Sequence, residues 1–455
     1  MSSERIIIIG SGPAGLGAAY RLKELGYENW AMYEQDDRIG GLSSSFVDEQ
    51  GFTWDIGGHV MFSSIERFNR LADGLMGQDF ISHERESWIR TLKRWVPYPF
   101  QNNIRYLPKD KIVECLLGLI SAQYSDKKTS ANFEDWIYKT FGEGIANLFL
   151  GPYNAKVWAV PLNLMSYDWI AERISPISIE RIMRNVVMEQ DDIGWGPNNR
   201  FKFPLYGGTG GFFNEFMPEV KEKIHFRKKL TSIDIDAKKV ALNGSEADDY
   251  DSLINTAPID LVTGMIKSGH TDTSSSVRAA SQLKHNGIYV VGLGLRKKMI
   301  GTKCWAYFPD EEVPFYRLTY FSHYSPNNVP NGDTDTYSSL MCEISFSEYK
   351  PADESRLVDL TIESLIREGV IAQDDSRLIV SKWVKKIEYA YPIPTLQRDD
   401  NLRLIQSFLL DNNIYSRGRF GAWLYELGNM DHSTLMGIEA VDRIVLGEKE
   451  TLWKA

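Results

Sequence analysis

Residues 5–34 read RIIIIGSGPAGLGAAYRLKELGYENWAMYE. The apolar run at 5–9 predicts a buried strand, and the glycine turn after it leads into a helix over about 12–26. A second strand is expected at 30–33. Strand, helix and strand in about 30 residues indicate a βαβ unit, which predicts an α/β protein with a parallel sheet.

The glycines of this turn have the spacing of a dinucleotide-binding site. Gly10, Gly12 and Gly15 allow a tight turn, close approach of backbone amides to a pyrophosphate, and close packing of a helix whose N-terminus attracts negative charge. Glu34 ends the second strand, where a carboxylate accepts hydrogen bonds from ribose hydroxyls. The context that this motif requires is therefore present.

Further glycine motifs favour FAD over NAD. RIGGL at 38–42 follows the second strand, and a second glycine pair beside an arginine suits a long cofactor that lies extended across the domain. GGHV at 57–60 and GGTGG at 207–211 add two points of close backbone approach.

A segment near the C-terminus is expected to complete the cofactor site. GNMDHS at 428–433 precedes an apolar helix, whose N-terminal dipole would stabilise negative charge on a reduced flavin. The predicted cofactor contacts are Gly10, Gly12, Gly15, Glu34, Arg38, Gly41, Leu42, Gly58, Gly428, Met430 and Ser433.

Composition limits the partners. The 455 residues include 51 Lys and Arg against 61 Asp and Glu, a formal net charge of −10, which excludes nucleic acid because duplex binding needs a dense basic face. Three cysteines without a CxxC pair indicate neither a disulfide framework nor a metal site. No stretch approaches about 18 uninterrupted apolar residues, so we expect no membrane span and a cytoplasmic protein.

The remaining pattern divides the chain into three parts. Helical periodicity dominates 108–190, and short β-rich runs dominate 286–390. The segment 231–258 is predicted to hold three strands, the last ending at Thr256, and to rejoin the first domain. We predict a discontinuous Rossmann-like FAD-binding domain with an inserted helical domain and a mostly antiparallel β-sheet domain. The expected boundaries are 1–94, 205–283 and 400–455 for the FAD-binding domain, 105–190 for the helical domain, and 95–104, 191–204 and 284–399 for the sheet domain.

Six polar, aromatic stretches interrupt these patterns. They read WVPYPFQNNI (95–104), GPYNAKVWAVP (151–161), WGPNNRFKFP (195–204), CWAYFPDEEVPFYRLTYFSHYSP (304–326), YAYPIPTLQR (389–398) and SRGRFGAWLYELGNMDHS (416–433). Together with the FAD signature, the chain resembles UDP-galactopyranose mutase of the eukaryotic type over residues 6–447.

The resemblance implies an isomerase, of the intramolecular transferase class, that interconverts UDP-galactopyranose and UDP-galactofuranose. In that family N5 of reduced FAD (FADH⁻) attacks the anomeric carbon, UDP leaves, the sugar closes through its O4, and UDP returns. NADPH or NADH is the implied reductant. The site must therefore hold a dianionic nucleotide while its bond to the sugar breaks and re-forms.

The family's residue roles fall on matching positions. Aromatic rings would pack against uracil while amides read its polar edge, and Arg and Tyr would hold the pyrophosphate. Three arginines are expected to converge on one cleft and locally reverse the sign of an acidic protein. The implied catalytic residues are His59, whose backbone would face flavin N5, Arg173, Arg317, Arg419 and Asn198. The implied substrate contacts are Tyr98, Phe100, Gln101, Asn154 and Trp158 for uridine, Tyr307, Tyr391 and Tyr425 for the pyrophosphate, and Trp305 and Asn429 for the sugar.

Departures from the family and alternative functions remain. Tyr206 and Leu424 stand where fungal members have Arg, so a fungal-type tetramer is not expected and the oligomeric state stays open. One alternative is a mutase for UDP-arabinopyranose or UDP-N-acetylgalactosamine. Another is a flavin amine oxidase or desaturase, which shares the FAD segments but has no use for the Tyr and Arg residues at 305–317 and 417–425. A non-catalytic FAD-binding protein is a third.

Overall fold

The computed structural model describes residues 4–124, 129–170, 174–175, 177–194, 196 and 199–453. These residues form twenty β-strands and thirteen α-helices. The strands are β1 (Ile6–Ile9), β2 (Trp30–Tyr33), β3 (Ser45–Val47), β4 (Thr53–Asp55), β5 (Phe80–Glu84), β6 (Ser87–Thr91), β7 (Arg94–Pro97), β8 (Arg200–Pro204), β9 (Ile224–His225), β10 (Leu230–Asp234), β11 (Lys239–Leu242), β12 (Glu246–Asp249), β13 (Ser252–Asn255), β14 (Ile266–Lys267), β15 (Lys284–Leu295), β16 (Trp305–Tyr307), β17 (Arg317–Tyr320), β18 (Ser338–Phe346), β19 (Ile379–Ile393) and β20 (Ile414–Ser416). The helices are α1 (Pro13–Glu24), α2 (Glu66–Met76), α3 (Lys109–Tyr124), α4 (Phe133–Ile145), α5 (Gly151–Trp158), α6 (Ile179–Val187), α7 (Gly208–Asn214), α8 (Met217–Val220), α9 (Ile259–Gly264), α10 (Ser274–Ser281), α11 (Leu357–Arg367), α12 (Arg398–Asp411) and α13 (Met430–Val441).

The first sheet is parallel and contains the predicted βαβ unit. Its strand order is β20-β13-β1-β2-β9, and all four residues of β1 are buried. A strand covered on both faces reads as a continuous apolar run, which is why four isoleucines form it. Of the segment 231–258, only β13 pairs with β1 and so belongs to this sheet, while β10, β11 and β12 form a separate sheet with β14. That segment holds one more strand than expected, β12, which is charged because it lies at the edge of a separate sheet.

Helices α1 and α13 cross on this sheet at very short range. A Cβ atom added at Gly437 would lie 1.8 Å from the carbonyl oxygen of Ala14, and one added at Gly17 would lie 2.1 Å from that of Thr434. The two helices therefore meet backbone to backbone. This contact holds the first turn of α13 beside the first turns of α1.

The helical part is α3 to α6, which enclose an apolar core. Helix α5 is joined to the sheet part by Lys156, which is 5% exposed. Its ammonium group donates hydrogen bonds to the carbonyl oxygens of Phe308 (2.7 Å), Asp310 (2.9 Å) and Phe315 (2.9 Å). The loop between β16 and β17 is thus tied to α5. Within the described ranges, no helix is both long enough and apolar enough to cross a membrane.

The largest sheet has seven strands in the order β19-β15-β18-β17-β16-β6-β7, and only the β16–β6 pair is parallel. The prediction of a mostly antiparallel sheet is confirmed. Two expected boundaries differ from the observed pairing. Strand β6, expected in the FAD-binding domain, pairs with β16, and β8, expected in the sheet domain, pairs with β5 instead. Local sequence indicates a strand, but the partner depends on long-range packing.

A buried carboxylate joins β4 to the GGTGG turn. Asp55 is fully buried, and its Oδ2 accepts hydrogen bonds from the hydroxyl (2.6 Å) and the amide (3.1 Å) of Thr209, while the hydroxyl of Ser45 donates to Oδ1. Burial raises the pKa of Asp55 to about 6, although these hydrogen bonds oppose the shift. The folded protein therefore binds a proton at Asp55 more tightly than the unfolded chain does.

This shift predicts a pH-dependent stability. Because the folded pKa lies above the unfolded value, the contribution of Asp55 is complete below about pH 4 and is lost as the pH rises through about 6. We expect the unfolding free energy of wild type relative to Asp55→Asn to fall by about 2 kcal/mol between about pH 4 and pH 7. Urea denaturation across this range measures it. Asp400→Asn, which changes an exposed carboxylate, is the control; parallel curves for wild type and Asp55→Asn would contradict the assignment.

Candidate active site

A cavity of about 810 Å³ opens where the strands of the parallel sheet end. Its wall includes the residues that follow β1, β2 and β13, namely Gly10, Glu34 and Thr256. Ligands of such sheets bind outside the carboxyl ends of the strands. The volume lies towards the upper end of the range of about 300–1,000 Å³ for small-molecule sites.

The cavity wall contains most of the predicted cofactor residues. Gly15 lies instead within α1, where an added Cβ atom would be 2.0 Å from the carbonyl oxygen of Gly10, so it serves the closure of the turn. Gly58 is not among the residues that line the cavity, and its amide donates a hydrogen bond to Oε1 of Glu343. The predicted contacts that line the cavity are Gly10, Gly12, Glu34, Arg38, Gly41, Leu42, Gly428, Met430 and Ser433.

The donors and acceptors of the cavity fit FAD. Helix α1 follows Gly12, which has no side chain to cap it, so its first amides face the position of a pyrophosphate. Glu34 is held by Ser11, whose amide and hydroxyl each lie 2.7 Å from Oε2. Helix α13 follows Asn429, whose side chain makes no capping hydrogen bond, and its Met430 and Ser433 line the cavity. A flavin pyrimidine ring suits that second helix N-terminus.

His59 and Arg419 lie together at this flavin end of the cavity. Arg419 is oriented by hydrogen bonds from Nε to the carbonyl oxygen of Gly428 (2.9 Å) and from Nη1 to that of Ala390 (3.2 Å). Burial, followed by the charges of Arg419 and Arg317, lowers the pKa of His59 to about 3. His59 is therefore neutral at physiological pH. Both arginines lower the pKa of this one imidazole.

Arg317 is paired with a carboxylate that the motifs did not indicate. Its Nε donates to Oε1 of Glu343 (2.6 Å) and its Nη2 to Oε2 (2.7 Å). Burial opposes the charge on Arg317, but Glu343 outweighs burial and raises the pKa of the guanidinium. Arg317 stays charged with two of its donor directions occupied. It can offer a phosphate its remaining donors only, and its charge is partly compensated.

Rings from all three parts of the chain form an aromatic belt, defined as Tyr98, Tyr153, Trp158, Tyr307, Tyr391 and Tyr425. Ring centroids are 5.5 Å apart for Tyr98 and Tyr307, and 5.1 Å apart for Tyr153 and Tyr307. The corresponding distances are 4.7 Å for Trp158 and Tyr425 and 5.7 Å for Tyr391 and Tyr425. The guanidinium of Arg419 lies 5.6 Å from the ring of Tyr391, which joins the belt to the cavity.

The hydroxyls of Tyr98, Tyr307 and Tyr391 stay protonated. Burial raises the pKa of Tyr98, Tyr307 and Tyr391, although Arg317 lowers the values for Tyr307 and Tyr391 in part. At neutral pH these side chains are hydrogen-bond donors without charge. They suit an anionic leaving group that has to stay bound.

Other predicted substrate residues serve local structure in this conformation. Phe100 is fully buried and stacks on Phe149 at 5.0 Å, so it supports the wall from inside the core. Gln101 donates to the carbonyl oxygen of Ser175 (3.0 Å) and Asn154 to that of Leu150 (2.8 Å).

Of the remaining four predicted residues, the structure describes two. Trp305, 5% exposed, lies opposite Thr319 in the β16–β17 pair, and Asn429 precedes α13. Arg173 and Asn198 lie outside the described residues.

Several site residues were missed from sequence. Glu343 and Tyr316 are buried and connect Arg317 to Tyr391. Lys156 is also buried and ties the loop between β16 and β17 to α5. A signal was present for Glu343, a single charged residue in the otherwise uncharged strand SSLMCEISF, because a charge is buried only when it is paired. Among the described residues, no three His, Cys, Asp or Glu side chains come together as metal ligands.

Comparison with known proteins agrees with this geometry. The family of flavin containing amine oxidoreductases matches residues 13–445. The crystal structure of a reduced UDP-galactopyranose mutase has a TM-score of 0.95 and 44% identity, over 99% of this chain and 95% of that one. Cyclohexylamine oxidase from Brevibacterium oxydans IH-35A has a TM-score of 0.69 and 14% identity, over 98% and 99%, which is a likeness of fold alone.

Curated relatives match shorter segments. Protoporphyrinogen oxidase 2 of Arabidopsis thaliana is 25% identical over 167 residues, which are 34% of this chain and 32% of that protein. The chain spans a third or less of the length of the curated relatives that it matches. The predicted flavin cofactor and the predicted α/β fold are confirmed by the family match and the superposition. The chain belongs to the flavin containing amine oxidoreductases and, within them, to the UDP-galactopyranose mutases.

Proposed function

We propose that this protein is an isomerase that interconverts UDP-galactopyranose and UDP-galactofuranose with reduced FAD. The observation that carries the proposal is the position of Arg419, which lines the flavin end of the cavity and whose guanidinium lies 5.6 Å from the ring of Tyr391 in the aromatic belt. Positive charge and neutral hydroxyl donors in one place suit a pyrophosphate that must leave and return.

Each part of the site has a task in this reaction. FAD, held by the α1 turn and the start of α13, supplies when reduced a nucleophile for the anomeric carbon. Arg317 and Arg419 neutralise the diphosphate that departs, and the Tyr hydroxyls donate to its oxygens. The rings of Tyr98 and Trp158 offer apolar surface to uracil. UDP can thus remain in the protein while the sugar changes its ring size.

Proton transfer is assigned to no side chain of the cavity. His59 is neutral at pH 7 because its pKa is about 3, so it is neither a cation for the phosphate nor a general acid there. Its place at the flavin end suits a role of its backbone.

The site favours this reaction over amine oxidation. An amine oxidase needs an apolar or aromatic tunnel, whereas the guanidinium of Arg419 lines the flavin end of the cavity here. Mutases for UDP-arabinopyranose or UDP-N-acetylgalactosamine share the need for a UDP site, so they differ only in contacts to the sugar. We further propose that the protein acts in the cytoplasm and that NADPH or NADH reduces its flavin.

One assay tests the function. Purified yellow protein is incubated with UDP-galactofuranose, with and without dithionite, and the products are separated by chromatography. We expect UDP-galactopyranose only in the reduced sample, because only reduced FAD is nucleophilic enough to displace UDP. UDP-arabinopyranose and UDP-N-acetylgalactosamine, run in parallel, measure sugar specificity.

Two results would overturn the proposal. One is no conversion of any UDP-sugar by reduced, flavin-loaded protein. The other is hydrogen peroxide released from an amine by the oxidised protein, which would indicate an oxidase. Arg403→Ala, which removes an exposed arginine paired with Asp400, is the matched control for non-specific loss of activity.

A further inference from the structure

Building on the proposed function, we propose that Glu343 is a positioning residue that sets the phosphate-binding side chains in register with the flavin-facing GGHV loop. Glu343 lies in the middle of β18, opposite Arg317 of β17. Its side chain is 1% exposed, and it belongs to none of the predicted motifs.

Four donors converge on this one carboxylate. Oε1 accepts from Nε of Arg317 (2.6 Å) and from the amide of Gly58 (3.0 Å). Oε2 accepts from Nη2 of Arg317 (2.7 Å) and from the hydroxyl of Tyr316 (2.6 Å). A carboxylate has about four acceptor sites, so Glu343 is saturated. It joins three segments, 57–60, β17 and the loop before β17, at a single point.

Through Tyr316 the network reaches Tyr391, a second residue that is predicted to bind the pyrophosphate. The Tyr316 hydroxyl gives its single proton to Glu343, so its oxygen accepts from the hydroxyl of Tyr391, 3.3 Å away. The direction of the Tyr391 O–H therefore depends on Glu343. Any displacement of the Glu343 carboxylate therefore shifts the positions of the Arg317 guanidinium, the Tyr391 hydroxyl and the Gly58 amide together.

The carboxylate is ionised. Burial alone would raise the pKa of Glu343, but Arg317 and the hydrogen bonds from Tyr316 and Gly58 outweigh burial and hold the pKa below its usual value. This charge also partly cancels that of Arg317. Glu343 therefore weakens the electrostatic attraction for a diphosphate while it fixes the geometry, and these two effects can be separated by experiment.

The variant Glu343→Gln separates the electrostatic effect of Glu343 from its effect on geometry. Glutamine keeps the volume but has one acceptor oxygen, so it cannot accept all four donors, and it leaves Arg317 uncompensated. We expect kcat per flavin-bound enzyme to fall at least about tenfold while KM rises less than about twofold. UDP affinity, measured by calorimetry, should stay within about twofold or become tighter. The midpoint potential of the bound flavin should shift because the Gly58 amide loses its acceptor.

Tyr316→Phe is a milder second variant that keeps the ring and removes one donor. We expect kcat to fall about threefold or more with thermal stability close to wild type. Glu368→Gln is the matched control, since Glu368 is also buried and paired, but its hydrogen bonds come from Arg90 and Arg367, which are not part of the Glu343 network. It should change neither UDP affinity nor the flavin potential.

Three outcomes would overturn the inference: kcat within about twofold of wild type in Glu343→Gln, an increase in KM with kcat unchanged, or a flavin potential equal to that of wild type. UDP affinity and flavin potential need no turnover. A wild-type protein that converts no UDP-sugar would therefore contradict the proposed function, while these two measurements still test Glu343.

Discussion

Arg317→Ala is expected to lower kcat/KM for UDP-galactofuranose by at least about tenfold and towards a hundredfold, because a charge-assisted contact to the diphosphate is lost. It should also lower the unfolding free energy by about 3 kcal/mol, since Glu343 is fully buried and would be left without its cation. The rate is measured with dithionite-reduced enzyme and the stability by urea denaturation.

A double variant separates these two losses. Arg317→Ala with Glu343→Gln removes the unpaired charge, so it should recover about 2 kcal/mol of the lost stability without recovering activity. Arg403→Ala, in an exposed ion pair, should change neither quantity measurably. Wild-type kcat/KM in Arg317→Ala would remove this residue from the site.

Gly437→Ala is expected to abolish stable FAD binding. The new methyl group would lie 1.8 Å from the carbonyl oxygen of Ala14, a backbone atom that cannot move without α1. Because both helices present their N-termini to the cofactor cavity, their separation would displace the sites for the pyrophosphate and for the flavin. We expect a loss of about 3 kcal/mol or more of stability and a purified protein with little yellow colour.

The matched control is the same substitution at Gly74. This glycine also lies within a helix, α2, but an added Cβ atom there meets nothing within 4 Å. Gly74→Ala should stabilise the protein by up to about 1 kcal/mol, because alanine is the better helix former. The flavin absorbance per protein and the urea midpoint are compared for both variants. Equal flavin absorbance and equal urea midpoints in the two variants would show that the contact between α1 and α13 tolerates a methyl group.

Sequence patterns are most informative where the position of a residue depends on its neighbours along the chain. Gly10, Gly12 and Glu34 follow from the order of strand, turn and helix, and the structure places all three at the cavity. Prediction was incomplete for Arg317. Its place near the flavin end follows from the resemblance, but its pairing with Glu343 does not, because 26 residues separate the two along the chain.

The prediction of the domain boundaries was incomplete for the same reason, because strands that pair can be far apart along the chain. The strand character of 87–91 is local, but its assignment to the seven-stranded sheet depends on β16, more than two hundred residues later. Likewise, Phe100 belongs to a motif, yet its full burial against Phe149 becomes apparent only when the helical part is packed.

By itself, the sequence determined the α/β class, the dinucleotide turn and the family, since strand, turn and helix patterns are written in neighbouring residues. The tertiary structure alone decided how charge is arranged at the site. Arg419 lines the cavity, whereas Arg317 is paired with a buried carboxylate that partly compensates its charge. Net charge and motif spacing carry no information on this pairing, because it is produced by the register of β17 against β18.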